Sequence, residues 1–257
     1  MFDKNHIIFT VTSFALTAIL MFVCVKFVKK QEHKDKVLLW SALVTVALHY
    51  SIVYVDFFKY GSATIGDTML LPVYPCNVAM WLLLAVGVWK QKSGIVFKVV
   101  AEITFYLGIV GGVVGLVANE NYMNNPDMAD WDIFKGLLSH STLIFGCAYL
   151  VFGKYVRIRV DNVPSILIGL LFLVADGGLM IALFRAFNLD PPNCMFLLEN
   201  PFPQLPWFNP WILGTFALIL LSLFTVIYEQ FAVKKEERWY IKIKNKLRER
   251  KEKEEQC

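Results

Sequence analysis

Residues 95–117 read IVFKVVAEITFYLGIVGGVVGLV, 23 positions of which only Lys98 and Glu102 are charged. At about 1.5 Å per residue, a helix of this length covers roughly 34 Å, enough to cross ~30 Å of hydrocarbon. The stretch lacks the strict alternation of a barrel strand. Six further windows share its length and character: 7–28, 37–58, 69–89, 133–153, 164–187 and 211–232. The expected fold class is therefore all-α, a polytopic membrane bundle of seven transmembrane helices.

Composition points the same way. The 257 residues are 57% hydrophobic, against roughly 45–50% in soluble domains. With 18% charged residues and 21 Phe, 10 Tyr and 7 Trp, the chain is not disordered, fibrous or a typical nucleic-acid binder, so no nucleic-acid partner is expected. Five cysteines, an odd number without framework spacing, argue against a disulfide scaffold.

Charge sorts by loop. Segments 26–36, 90–98, 154–159 and 234–253 hold 21 of the 25 Lys and Arg residues, leaving Lys4, Lys59, Lys135 and Arg185 elsewhere. By the positive-inside rule this places the N-terminus outside and the C-terminus in the cytoplasm. Lys26, Lys29 and Lys30 follow the first apolar stretch instead of preceding it, so that stretch is expected to remain as a helix and not to be cleaved as a signal peptide. Residues 1–232 are read as the transmembrane domain and 233–257 as a charged cytoplasmic tail helix, solvated and held at the anionic inner leaflet.

Ionisable groups inside a span cost about 2.5–3.5 kcal/mol at a helix centre, so each asks for a partner or a function. His49 and Asp56 fall in the second window, Cys76 in the third, Glu102 in the fourth, His140 in the fifth, Asp176 in the sixth and Glu229 near the inner end of the seventh. Counted from the outer ends, His49, Cys76, His140 and Asp176 share a slab about 6 Å thick, with Asp56 above it and Glu102 below. For His49 and Asp176 the first reading is an interhelical hydrogen bond that holds the bundle together.

Cys76 closes the stretch Leu71-Pro72-Val73-Tyr74-Pro75-Cys76. Pro75 suits the first turn of a helix, which would put the thiol at a helix N-terminus among free N–H groups. His140 is the histidine at the matching depth, so a thiol nucleophile with an imidazole base is one use of this layer. Cys24 and Cys147 read as small hydrophobes. The run Gly108-Ile109-Val110-Gly111-Gly112-Val113-Val114-Gly115 holds overlapping small-xxx-small patterns, read first as close helix packing. Segment 188–210 carries six of the ten prolines with Phe196, Phe202, Trp207 and Phe208 but no Lys or Arg, as a stiff cap at the interface or a lid over the polar layer would.

The order of these landmarks resembles the bacterial YwaF family of integral membrane proteins and their relatives, the transmembrane protein 164 acyltransferases, over roughly residues 35–230. The resemblance lies in Leu71-Pro72-Val73-Tyr74-Pro75-Cys76, in Ser139-His140 within Leu137-Leu138-Ser139-His140-Ser141, and in Asn193-Cys194-Met195-Phe196-Leu197 followed by Pro201. It implies a membrane-embedded lipid acyltransferase, or acyl hydrolase, that works through a cysteine thioester. Cys76 would be the nucleophile and His140 the base, Asn77 or the helix-start N–H groups would stabilise the oxyanion, and His49 and Asp176 would position the site. The substrate would be a membrane phospholipid or other acyl lipid, with no metal and no cofactor, and the chain's size resembles the bacterial branch, in a plasma membrane. The alternatives are a transporter or receptor with a polar midplane site and a structural membrane protein with a satisfied polar core. Rhodopsin chemistry is set aside because the last span has no lysine.

The charge asymmetry yields a direct test. A cysteine engineered beside Lys92 is expected to resist an impermeant thiol reagent in intact cells and to react after permeabilisation, whereas labelling in intact cells would reverse the topology.

Overall fold

The computed structural model describes residues 3–61, 71–119, 122–123, 126–200, 207 and 209–254. The Asp56 side chain, Pro201, Phe202 and Phe208 lie outside the described residues. Among the described residues, seven helices form the bundle: α1 Lys4–Phe27, α2 Gln31–Tyr60, α3 Pro75–Val88, α4 Ile95–Val117, α5 Trp131–Phe152, α6 Val163–Ala186 and α7 Pro210–Ala232. A further helix, α8 Trp239–Glu254, forms most of the tail.

Six of these are long and apolar enough to cross a membrane. The exception is α3. Of its expected window, 69–89, the described residues 71–89 are helical only over the 14 residues Pro75–Val88, about 21 Å, which is short of the hydrocarbon thickness. The cause is Pro75, which sits in the first turn, with Tyr74 as N-cap in an extended conformation at φ −123°, ψ 154°. The chain still runs the length of the bundle here. Cys76, at the start of α3, packs on Gly111 near the end of α4, and Gly87, at the close of α3, packs on Leu39 and Ala42 near the start of α2.

Glycines set the spacing of the central helices. A Cβ on Gly108 would collide with Cys147, one on Gly112 would lie 2.7 Å from Ile144 Cγ1, and one on Gly115 would fall on the His140 ring. Seven residues along α4 thus face seven residues back along α5, an antiparallel seam with one register. The other side of the same stripe meets α3, where a Gly111 Cβ would lie 3.1 Å from Cys76 Cα and a Gly108 Cβ 3.7 Å from that of Ala79. Gly146 of α5 admits Leu83 of α3 and Ser41 of α2 in the same way. Each helical glycine forgoes about 1 kcal/mol of helix propensity relative to alanine. The return is backbone approach, the main source of helix association where lipid tails are as apolar as side chains. Leu38, Ala42, Ala79, Leu83, Ala101 and Cys147 are fully buried in this core.

Outside the core, α1 rests on α5, and α6 packs on α4 and α7. These outer helices keep large apolar side chains exposed, among them Val11, Phe22, Leu171, Phe216 and Phe231, as a lipid-facing surface requires. The start of α1 is pinned at the end away from the basic loops. Asp3 caps the helix through the His6 N–H at 2.8 Å and accepts the Tyr122 hydroxyl, while His6 Nε2 lies 2.9 Å from the Leu116 carbonyl oxygen. The Tyr122 hydroxyl, followed by the His6 N–H, holds the Asp3 carboxyl below the usual carboxylate range.

At the basic end, Glu229 of α7 is fully buried. Its two oxygens accept the Val160 N–H and the Trp239 N–H, each at 2.7 Å, joining the α5–α6 corner to the first residue of α8. Ion pairs Arg159–Glu237 and Lys242–Asp161 reinforce the junction. Glu229, expected at an inner boundary, is thus the staple between bundle and tail. Glu229→Ala leaves two backbone donors without their acceptor and is expected to cost about 1–3 kcal/mol. The readout is a lower melting temperature in detergent together with faster tryptic cleavage after Lys235, whereas unchanged values for both would refute the staple.

Candidate functional site

The backbone leading into α3 is irregular at membrane depth, which is tolerated only where its polar groups are satisfied within the protein. The Val73 N–H donates to Leu71 O at 2.8 Å, and the N–H groups of Asn77 and Val78 donate to Tyr74 O at 3.0 and 3.1 Å. A second irregular segment covers the first. The Met195 N–H donates to Val73 O at 2.8 Å, and the Phe196 ring lies 6.0 Å from that of Tyr74. This cover is organised by Asn193, whose Oδ1 accepts the N–H groups of Leu198 and Glu199 while Nδ2 donates to Glu199 O. Met195 and Phe196 take left-handed conformations, at φ 50° and 60°. Gly177 of α6 makes room for the turn, since a Cβ there would lie 2.9 Å from that of Met195.

At the start of α3 is a cavity of about 10 Å³, enough for one water. It is lined by Thr45 and His49 of α2, by Cys76, Asn77 and Met80 of α3, and by Ser139, His140 and Leu143 of α5. Glycines of α4 press the two central candidates toward it, Gly111 against the Cys76 backbone and Gly115 against the His140 imidazole. No direct hydrogen bond joins Cys76 to His140 among the described residues. Instead the thiol donates to Asn77 Oδ1 at 3.2 Å, and Asn77 Nδ2 is turned to Leu71 O at 2.9 Å. The asparagine therefore shows the sulfur its acceptor, not its donor. Cys76 is the second residue of α3, where its own N–H has no helical acceptor four residues back.

The structure thus gathers Cys76, Asn77, His49 and His140 around one space and leaves Asp176 out of the lining. Asp176 is on α6, which packs on α4, α7 and the 194–196 turn. One Asp176 carboxylate oxygen is buried without a hydrogen-bond partner among the described residues. Thr45 and Ser139 were not singled out by sequence as lining residues. Thr45 lies four residues before His49 and so on the same face of α2. It also bridges to α5, its hydroxyl donating to Thr142 Oγ1 at 2.9 Å.

An all-helical bundle of lipid-length apolar helices, with a polar layer enclosed by three of them, defines a multi-pass integral membrane protein. The chain belongs to the TMEM164 family, whose model matches residues 1–228. Comparison with curated proteins and with solved structures finds no match.

The glycine seam makes a quantitative expectation. Gly115→Ala forces the His140 ring out of place and should destabilise by about 1–3 kcal/mol, the usual cost of overpacking. Gly178→Ala and Gly214→Ala, where an added Cβ meets nothing within 4 Å, should be neutral or gain up to about 1 kcal/mol. Thermal melts in detergent decide, and equal effects at all three positions would remove the seam from the account.

Proposed function

We propose that the protein transfers or hydrolyses a fatty acyl group of a membrane phospholipid or other acyl lipid through a thioester on Cys76. The observation that carries this reading is the presence of Cys76 and His140 on one cavity, with the thiol at a helix start. Family membership supports a membrane-embedded activity.

The sulfur attacks the ester carbonyl while His140 takes the thiol proton, either directly or through one water. The resulting oxyanion is met by the Cys76 N–H at the positive end of the helix, since Pro75 has no N–H and Asn77 and Val78 give theirs to Tyr74 O. Collapse breaks the ester C–O bond, and the imidazolium returns the proton to the departing lysolipid oxygen. An acceptor hydroxyl or water then attacks the thioester, with His140 again removing its proton. Asn77 holds the thiol in place through Oδ1, and His49 shapes the polar wall. An ester group exceeds a space of about 10 Å³, so substrate entry needs the lining to swing aside. Met80, unbranched and bound only by packing, is the side chain suited to that. The chemistry needs no metal or cofactor. The charge asymmetry supports an orientation with the N-terminus outside and the site in the outer half of the bilayer, and our reading takes that bilayer to be a plasma membrane.

The transporter and receptor readings would require a solute site in the same layer, which a water-sized cavity supports less well than a reactive pair. The test is a lipid profile of cells with and without the protein, complemented by variants. Cys76→Ala should leave the profile of the null strain, and His140→Ala should slow turnover by about 10²–10⁴-fold. Restoration of the wild-type profile by Cys76→Ala would refute the thioester.

A further inference from the structure

At the basic end, remote from Cys76, helices α1, α2 and α5 enclose a second cavity of about 140 Å³. Three lysines line it from three separate segments: Lys29 after α1, Lys34 in the first turns of α2, and Lys154 at the corner after α5. Its floor is apolar, formed in part by Val25, Val28 and Phe152.

Neither nearby carboxylate lines this space. Asp35 accepts the Tyr155 hydroxyl at 2.5 Å and the Gln31 amide at 2.9 Å, and Glu32 pairs with Lys36 at 2.6 Å. The simplest role for these lysines is to cap helix C-termini, and Lys29 does so, donating to Val25 O at 2.6 Å. That bond uses one of its three donors. Lys154 closes α5 with its backbone: its N–H donates to Val151 O at 3.0 Å and the Tyr155 N–H to Leu150 O at 2.8 Å, a helix-ending turn that sets its left-handed φ of +72° directly after the C-cap Gly153. That turn uses none of its side-chain donors, so the ammonium is left to the rim.

We propose that this cavity binds the headgroup of an anionic phospholipid. Ammonium groups around a concave space meet a phosphodiester, and the apolar floor continues onto the exposed face of α1 at Val25 and Phe22, along which an acyl chain can lie. Free phosphate would satisfy the rim but leave that floor unused. The proposal is independent of the Cys76 chemistry.

The test is native mass spectrometry of the full chain from micelles holding equal amounts of phosphatidylglycerol and phosphatidylcholine. The wild type should retain phosphatidylglycerol preferentially. Replacing Lys29, Lys34 and Lys154 together by Gln should cut the preference by about fivefold per lysine, while the same change at Lys4, Lys36 and Lys90, exposed and outside both the rim and the tail, should leave it. A second readout uses the wild type alone. Cys24 lines the cavity, so phosphatidylglycerol should slow its alkylation by a maleimide in vesicles and phosphatidylcholine should not. Equal retention of phosphatidylglycerol by wild type and rim variant, an equal loss in the control variant, or unchanged Cys24 alkylation would overturn the proposal.

Discussion

Close approach of α4 to both α3 and α5 is the constraint on which the rest of the structure depends. Four glycines within eight residues remove the side chains that would hold the three backbones apart. The vacated spaces are filled by particular atoms: the Cys147 side chain at Gly108, the Cys76 backbone at Gly111, Ile144 at Gly112 and the His140 ring at Gly115. One stripe therefore sets the register of the core and also fixes the height and rotation of the two residues assigned to chemistry. Equal depth alone could not have done this, because two helices can present groups at one level and still turn them apart.

The α3 entrance adds a second constraint. A regular helix over 69–89 would have hidden the Cys76 N–H in a hydrogen-bond ladder. Pro75 starts the helix one residue before the cysteine, and the unpaired backbone that precedes it is satisfied by Asn77 and by the Met195 N–H from the 194–196 turn. That turn depends in turn on Asn193 and on the room left by Gly177. Cover, helix start and thiol thus form one unit built from segments more than a hundred residues apart.

Much of this was legible in the sequence. Apolar length gave the bundle, the charge pattern its proposed orientation, and the two prolines the place where the third helix begins. The shortness of α3 was less visible, because Leu71 and Val73 are as apolar as any spanning residue and only backbone geometry separates turn from helix. Asp176 is a related case, since it does not line the described cavity. Depth put it in the polar layer, but α6 lies against α4 and the 194–196 turn, outside the three helices that line the cavity. The inward use of the glycines was read as packing, and packing it is, yet no spacing rule says which side chain will fill a glycine's void. Glu229 was assigned to a boundary from its position near the inner end of the last span, and its stapling role went unseen because its partners are backbone N–H groups, which leave no trace in a residue pattern.

The central claim is that Cys76 carries the acyl group, and intact-mass analysis of the purified protein after incubation with a diacyl phospholipid tests it most directly. The account predicts a single added acyl chain on the Cys76 peptide, labile to hydroxylamine, absent from Cys76→Ala and strongly reduced in His140→Ala. No adduct, or acylation of Cys24 or Cys194 to the same extent as Cys76, would contradict it.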